Sequence, residues 1–171
     1  MSNEKKFDCQ NFRGFKNIQI IVLPENIPPF SVDAKVFEQD TALILGTANE
    51  IKYPMEDIER LINQALEIPP FTPGSILVRE QTPLQLLAII HDLDKEPTWQ
   101  EEWIIQALHN ILRECEHRQL QSIAMPLLGN LHGSLKKQRF FELLHSLIEQ
   151  TSPVYLKQIW LYGPPSQIAF S

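Results

Sequence analysis

Apolar residues fall along this chain in short β-like runs and in longer stretches with helical spacing. Asn17 to Leu23, NIQIIVL, is compact and rich in β-branched residues, and Pro24 stops it, so it predicts a strand. Thr41 to Leu45, TALIL, predicts a second buried strand, with Gly46 at its end. Met55, Ile58, Leu61, Ile62, Ala65 and Leu66 recur at intervals of three and four, which predicts an amphipathic helix behind Pro54. Ser75 to Arg79 predicts a strand, and the continuous run Leu84 to His91 predicts a strand buried on both faces. Thr98 to Arg118 carries the clearest helical stripe, from Trp103 through Ile104, Ala107, Leu108, Ile111 and Leu112 to Cys115. Thr98 and Glu101 stand at capping-box spacing at its start. Ser122 to Met125, closed by Pro126, predicts a strand. Lys137 to Gln150 predicts a helix, and Leu156 to Tyr162 a last strand before Gly163-Pro164-Pro165.

Strands alternating with helices, several of them apolar on both faces, predict an α/β fold: a three-layer α/β/α sandwich around a mixed central sheet. The length, 171 residues, suits one domain spanning 1–171, with residues 1–15 read as a flexible or added segment ahead of it. No internal repeat or long linker interrupts the pattern.

Composition narrows the partners. Apolar residues make up 43%, enough for a core, and the formal net charge is −6 with both signs mixed along the chain. Duplex DNA and anionic membranes are bound through clustered Lys and Arg, so neither is expected as a partner. Cys9 and Cys115 are far apart and lack a CxxC partner, which predicts two free thiols in a reducing compartment. No apolar run approaches the roughly 20 residues of a spanning helix. The expectation is a cytoplasmic protein with no metal and no cofactor.

Ligands of such sheets sit beyond the carboxyl ends of the strands, so the segments there carry the candidate chemistry. In Leu45-Gly46-Thr47-Ala48-Asn49 the small residues let a ligand approach the backbone, and Asn49 offers donor and acceptor to a sugar hydroxyl. In Pro126-Leu127-Leu128-Gly129-Asn130-Leu131-His132-Gly133-Ser134, two glycines ahead of a helix can aim backbone N–H groups at a diphosphate. His91 ends an apolar strand and suits a hydrogen-bonded structural role. Asp92 and Asp94 follow it; a carboxylate pair can bind a metal or serve as acid and base, but no third ligand has suitable spacing, so a solvated loop fits better. Alone, each segment also suits an ordinary turn.

Together, and in this order, the segments resemble the macrodomain (ADP-ribose-binding, Appr-1''-p processing-like) family, of which this chain looks like a divergent member. LGTAN at 45–49 is similar to the family's VNAAN. PGSILV at 73–78 and AIIH at 88–91 resemble its glycine-then-strand segment and its strand ending on histidine. SIAMPLLGNLHG at 122–133 is similar to its SIAFP strand and glycine-rich phosphate loop. The resemblance covers about Ile18 to Tyr162. It implies that Asn49, with Gly46, Thr47 and Ala48, lies beside the distal ribose. It also implies that Gly129, Asn130, Leu131, His132 and Gly133 line the diphosphate. Asn26 would stand for the adenine-reading aspartate, and Tyr162 or Phe170 for the aromatic near the base. In an active member, Asn49 would assist hydrolysis with a bound water; Asp92 or Asp94 would then serve as auxiliary base.

The chain departs from the family after Asn49. Glu50-Ile51-Lys52-Tyr53-Pro54-Met55 contains no glycine where the family carries a run of them, and Glu50 brings negative charge toward a diphosphate. Leu131 stands where a glycine is common. Three readings follow: a binding module for ADP-ribose or a related nucleotide with a degenerate phosphate loop; an ADP-ribosyl hydrolase using Asn49; and a non-catalytic, partner-binding domain whose cleft has closed.

Overall fold

The computed structural model describes residues 17–45, 71–130 and 132–163. They form strands β1 (Gln19–Val22), β2 (Ala34–Asp40), β3 (Ile76–Arg79) and β4 (Leu84–His91), helix α1 (Glu101–His117), strand β5 (Ser122–Pro126), helix α2 (Lys137–Thr151) and strand β6 (Gln158–Tyr162). The strands build one six-stranded sheet in the order β1-β6-β5-β2-β4-β3. All neighbours are parallel except β3, which runs antiparallel to β4 at the edge. The expected mixed α/β sheet is therefore present. Among the described residues no helix is long and apolar enough to cross a membrane.

Both faces of the sheet are buried. α1 presents Ile104, Ala107, Leu108, Ile111, Leu112 and Cys115 to one face, as its sequence stripe predicts. α2 adds Phe140, Phe141, Leu143, Leu144, Leu147 and Ile148 to the same core, against Val36, Ile90, Ile123, Met125 and Ile159. The opposite face carries Leu87 and Ile89 with Leu43, Phe37 and Phe71. Farther along it carries Ala124, Trp160 and Tyr162 with Leu23, Phe30 and Val32. The helix expected from Met55 to Leu66 falls outside the described residues.

Two expectations are corrected. Thr41 to Leu45 is not a strand. The strand is Ala34–Asp40, and the chain turns immediately after it. Asp40 is fully buried and causes the turn: its Oδ1 accepts the Ala42 N–H at 2.7 Å, and its Oδ2 accepts those of Ile44, at 3.0 Å, and Leu45. In a strand those N–H groups would face a neighbouring strand; here they curl around one carboxylate, and Leu43 takes a left-handed φ of 61°. Thr98 does not cap α1 either. The helix starts at Glu101, and its N-cap residue Gln100 makes no side-chain cap bond. The Thr98 hydroxyl is engaged with His91 Nδ1 at 2.9 Å, and Glu101 holds Arg139 through both carboxylate oxygens, at 2.8 and 3.0 Å.

The sheet parts between β2 and β5. They pair only at Ala34↔Ile123 and Lys35↔Ala124. Beyond that, the Val36 carbonyl accepts the Tyr162 hydroxyl at 2.9 Å instead of a ladder N–H. The gap opens toward the carboxyl ends of the parallel strands, where a ligand of this architecture sits.

Candidate functional site

The loop that follows β5 is the best-defined part of that edge. The Leu127 carbonyl accepts the Asn130 N–H at 2.9 Å, which forms a tight turn. The Asn130 side-chain amide donates to the Leu135 carbonyl at 2.9 Å, and the Leu135 N–H donates to the Gly129 carbonyl at 3.0 Å. Asn130 thus holds the loop's two limbs together. The glycines are required by space. Gly129 has φ +82°, and a Cβ there would run into Ile104 Cδ1 and lie 3.2 Å from Leu135 Cβ. A Cβ on Gly133 would lie 2.6 Å from the Gly129 carbonyl oxygen and 2.8 Å from the Trp99 indole.

Beneath this loop lies a buried polar chain. Glu38 and His91 have side chains only 1% exposed, and Glu38 Oε2 meets His91 Nε2 at 2.5 Å. A carboxylate oxygen accepts, so Nε2 carries the hydrogen. Nδ1 then pairs with the Thr98 hydroxyl. The other oxygen, Glu38 Oε1, accepts the Gly129 N–H at 3.2 Å. The His132 ring stands edge-on to the His91 ring, with centroids 6.2 Å apart. Among the described residues no buried side-chain polar atom lacks a partner. His91 has the hydrogen-bonded role expected of it.

The remaining candidates are spread along the same edge. Asn26 is exposed in the turn after β1, where the Ile27 N–H returns to the Pro24 carbonyl at 3.0 Å. Its neighbour Glu25 pairs with Lys35 at 3.0 Å. The Lys35 ammonium lies 5.1 Å from the Tyr162 ring centroid and 5.4 Å from that of Phe37. Tyr162 is buried and its hydroxyl is taken by Val36, so it acts as a wall of the gap rather than an open stacking surface. Asp92 is half-buried; its Oδ1 accepts the Asp94 N–H at 3.1 Å, an Asx turn at the end of β4. Gly46, Thr47, Ala48, Asn49 and Leu131 lie outside the described residues. The structure brings Gly129, Asn130, His132 and Gly133 together, and leaves Asn26 and Asp92 on separate turns.

Sequence reasoning missed Glu38 and Asp40. Ala34, Val36, Glu38 and Asp40 share one side of the β2 alternation and all four are buried, but two acids on that side hide the strand in the sequence. Among the described residues no group of three His, Cys, Asp or Glu side chains could hold a metal ion. Burial pushes the Cys115 thiol up to about 12, with the charges of Glu116, Glu114 and Asp33 adding to it, so it is an inert core thiol. A groove of about 460 Å³ between the Thr72–Ser75 turn and the two helices is lined by none of the expected site residues.

The fold has close structural neighbours. The macrodomain of Thermus aquaticus DarG superposes with a TM-score of 0.61 at 17% identity, over 85% of this chain and 98% of that one. A mutant Oceanobacillus iheyensis macrodomain with ADPR gives 0.63 at 14% identity, over 88% and 89%. The same macrodomain with ADP gives 0.63 at 15% identity, over 88% and 87%. This chain therefore has the macrodomain fold. No protein-family model and no curated protein matches its sequence.

Proposed function

We propose that this chain is a binding module for ADP-ribose or a related nucleotide, built on a macrodomain scaffold with an altered phosphate loop. The observation that carries the reading is the loop after β5. Its two glycines lie in contact through the Gly129 carbonyl, in a place where neither tolerates a side chain. Such a loop lets a phosphate approach the backbone of its second limb directly, the N–H groups of Gly129 and Asn130 being given to Glu38 and Leu127. The solved structures of the O. iheyensis macrodomain with ADPR and with ADP supply the ligand class.

In this reading Gly129, His132 and Gly133 face the diphosphate together with Leu131, while Asn130 braces the loop. Gly46, Thr47, Ala48 and Asn49 approach the distal ribose, and Asn26 lies on the base side with Tyr162 behind it. The glycine-free segment after Asn49 makes the second phosphate contact weaker than a glycine run would. Hydrolysis by Asn49 and Asp92 is the less favoured role, because one Asp92 oxygen is already committed to its own turn.

Calorimetric titration with ADP-ribose tests the proposal. Saturable one-to-one binding is expected. No binding heat at ~1 mM ligand, where affinity has fallen to about 4 kcal/mol, would sink it.

A further inference from the structure

The loop spanning residues 127–135 is gripped at two points, and the grips are joined. At one, Glu38 Oε1 takes the Gly129 N–H at 3.2 Å. At the other, Gly133 lies against the Trp99 indole with no room for a Cβ. Between them runs one chain: Glu38 Oε2 to His91 Nε2, His91 Nδ1 to the Thr98 hydroxyl, and Thr98 directly into Trp99. The contact of Gly133 with the Gly129 carbonyl closes the ring. Thr98 is further tied to β4, since its carbonyl accepts the Asp92 N–H at 2.7 Å.

We propose that Glu38, held by His91 and Thr98, is a positioning residue for the phosphate loop, fixing the direction of its backbone N–H groups toward a phosphate-bearing ligand. The ligand part rests on the function proposed above; the ordering of the loop does not.

Burying a carboxylate and an imidazole in a sheet is costly, and apolar side chains at those positions would stabilise the core at least as well. A buried pair alone would also need only one carboxylate oxygen for the histidine. Here the second oxygen reaches a loop amide 91 residues along the chain. That amide belongs to a residue with positive φ, in a segment with neither helix nor strand partners to hold it. Leu127, Leu128 and Leu135 seat the loop in the core, and Glu38 adds a polar tie from the centre of the sheet to the Gly129 amide. The carboxylate never touches the ligand in this arrangement; it acts through Gly129.

The test uses the full chain and three variants: Glu38→Ala, Glu38→Gln and Thr98→Val. Amide exchange is followed by NMR, and ADP-ribose and adenosine are titrated in parallel. In Glu38→Ala the Gly129 amide should exchange at least about tenfold faster, while amides in the middle of α2 keep their rates. Glu38→Gln keeps an acceptor oxygen for that amide and should return exchange to within about threefold of wild type. The dissociation constant for ADP-ribose should rise about tenfold in Glu38→Ala, while that for adenosine, which has no phosphate, stays unchanged. Thr98→Val removes the far anchor with nearly the same shape, and should speed Gly129 exchange about threefold; it decides the matter if Glu38→Ala does not fold. Unchanged Gly129 exchange in the folded variants, or equal weakening of ADP-ribose and adenosine, overturns the proposal. If the wild type binds no ADP-ribose, the proposed function fails, and the exchange rates still decide whether Glu38 orders the loop.

Discussion

Gly133 packs against Gly129 so closely that a methyl group on it would lie 2.6 Å from the Gly129 carbonyl oxygen, inside van der Waals contact. The same methyl would strike the Trp99 ring, so the loop has no side on which to make room. Gly133→Ala should therefore displace the loop: ADP-ribose affinity should fall about tenfold or more, with a stability loss of ~1–2 kcal/mol. Calorimetry and urea denaturation on one preparation separate the two effects. An alanine variant with wild-type affinity would show that the loop's shape does not matter to binding.

Gly129→Ala should cost more stability than Gly133→Ala. It combines a positive φ with a collision against Ile104 Cδ1, at the tip of a side chain fully buried on α1. A loss of ~2–4 kcal/mol is expected, read as a shift of the urea midpoint at constant slope.

Asp40, itself fully buried, accepts three part-buried backbone N–H groups of the turn that follows β2. Asp40→Ala removes their shared acceptor and should destabilise the fold by about 1–3 kcal/mol, water taking up part of the loss. Asp40→Asn keeps one acceptor oxygen and should lose less. Thermal unfolding followed by circular dichroism gives the comparison, and equal losses would contradict the account of the turn.

The ion pair between Arg139 and Glu101 makes a signed prediction in acid. The hydrogen bonds from Arg139 hold the Glu101 carboxyl below its ordinary 4.5. A depressed folded-state value means the contribution is present above the unfolded value and is lost as pH falls through the folded one. Wild type should thus lose its advantage over Arg139→Ala progressively below about pH 4.5. The pair is exposed, so the difference at neutral pH should be small and should shrink further in high salt.

Cys115 should resist alkylation in the native protein. The thiol is buried on α1, and its raised value leaves almost no thiolate at pH 8. Peptide mapping after iodoacetamide treatment should find it unmodified in buffer and modified in ~6 M guanidinium, where the domain is unfolded.

Most of the sheet was legible because its strands are apolar. Ile20 and Val22 in β1, the long run of β4, Ile123 and Met125 in β5, and Ile159 and Leu161 in β6 are core residues and look it in the sequence. Both described helices were legible through their stripes, within a residue or three at their ends. β2 was not. Lys35, Glu38, Gln39 and Asp40 give it the look of a loop, while TALIL beside it carries the strand-like composition. The inversion has a physical cause. The polar residues of β2 find partners inside the fold, with His91 and Gly129 for Glu38 and the following turn for Asp40. Glu38's partners lie 53 and 91 residues away and leave no local pattern, and Asp40's turn is masked by the strand-like composition of TALIL. The glycine loop after β5 was legible because spacing and glycine content are local. That Asn130 braces the loop was not, because its partner's geometry is not written in its type.

The seam between β2 and β5 gives the sheet an unusual mechanical profile. Sheets ordinarily fray at their margins, where one side of a strand is unpaired. Here the weakest lateral coupling lies in the middle, where two ladder positions give way to a tyrosine hydroxyl and a glutamate reaching across. The two halves of the sheet are therefore joined across the seam mainly by side chains and by the common core beneath α1 and α2. Beyond the first two ladder positions, side chains rather than backbone pairing set the width of the seam.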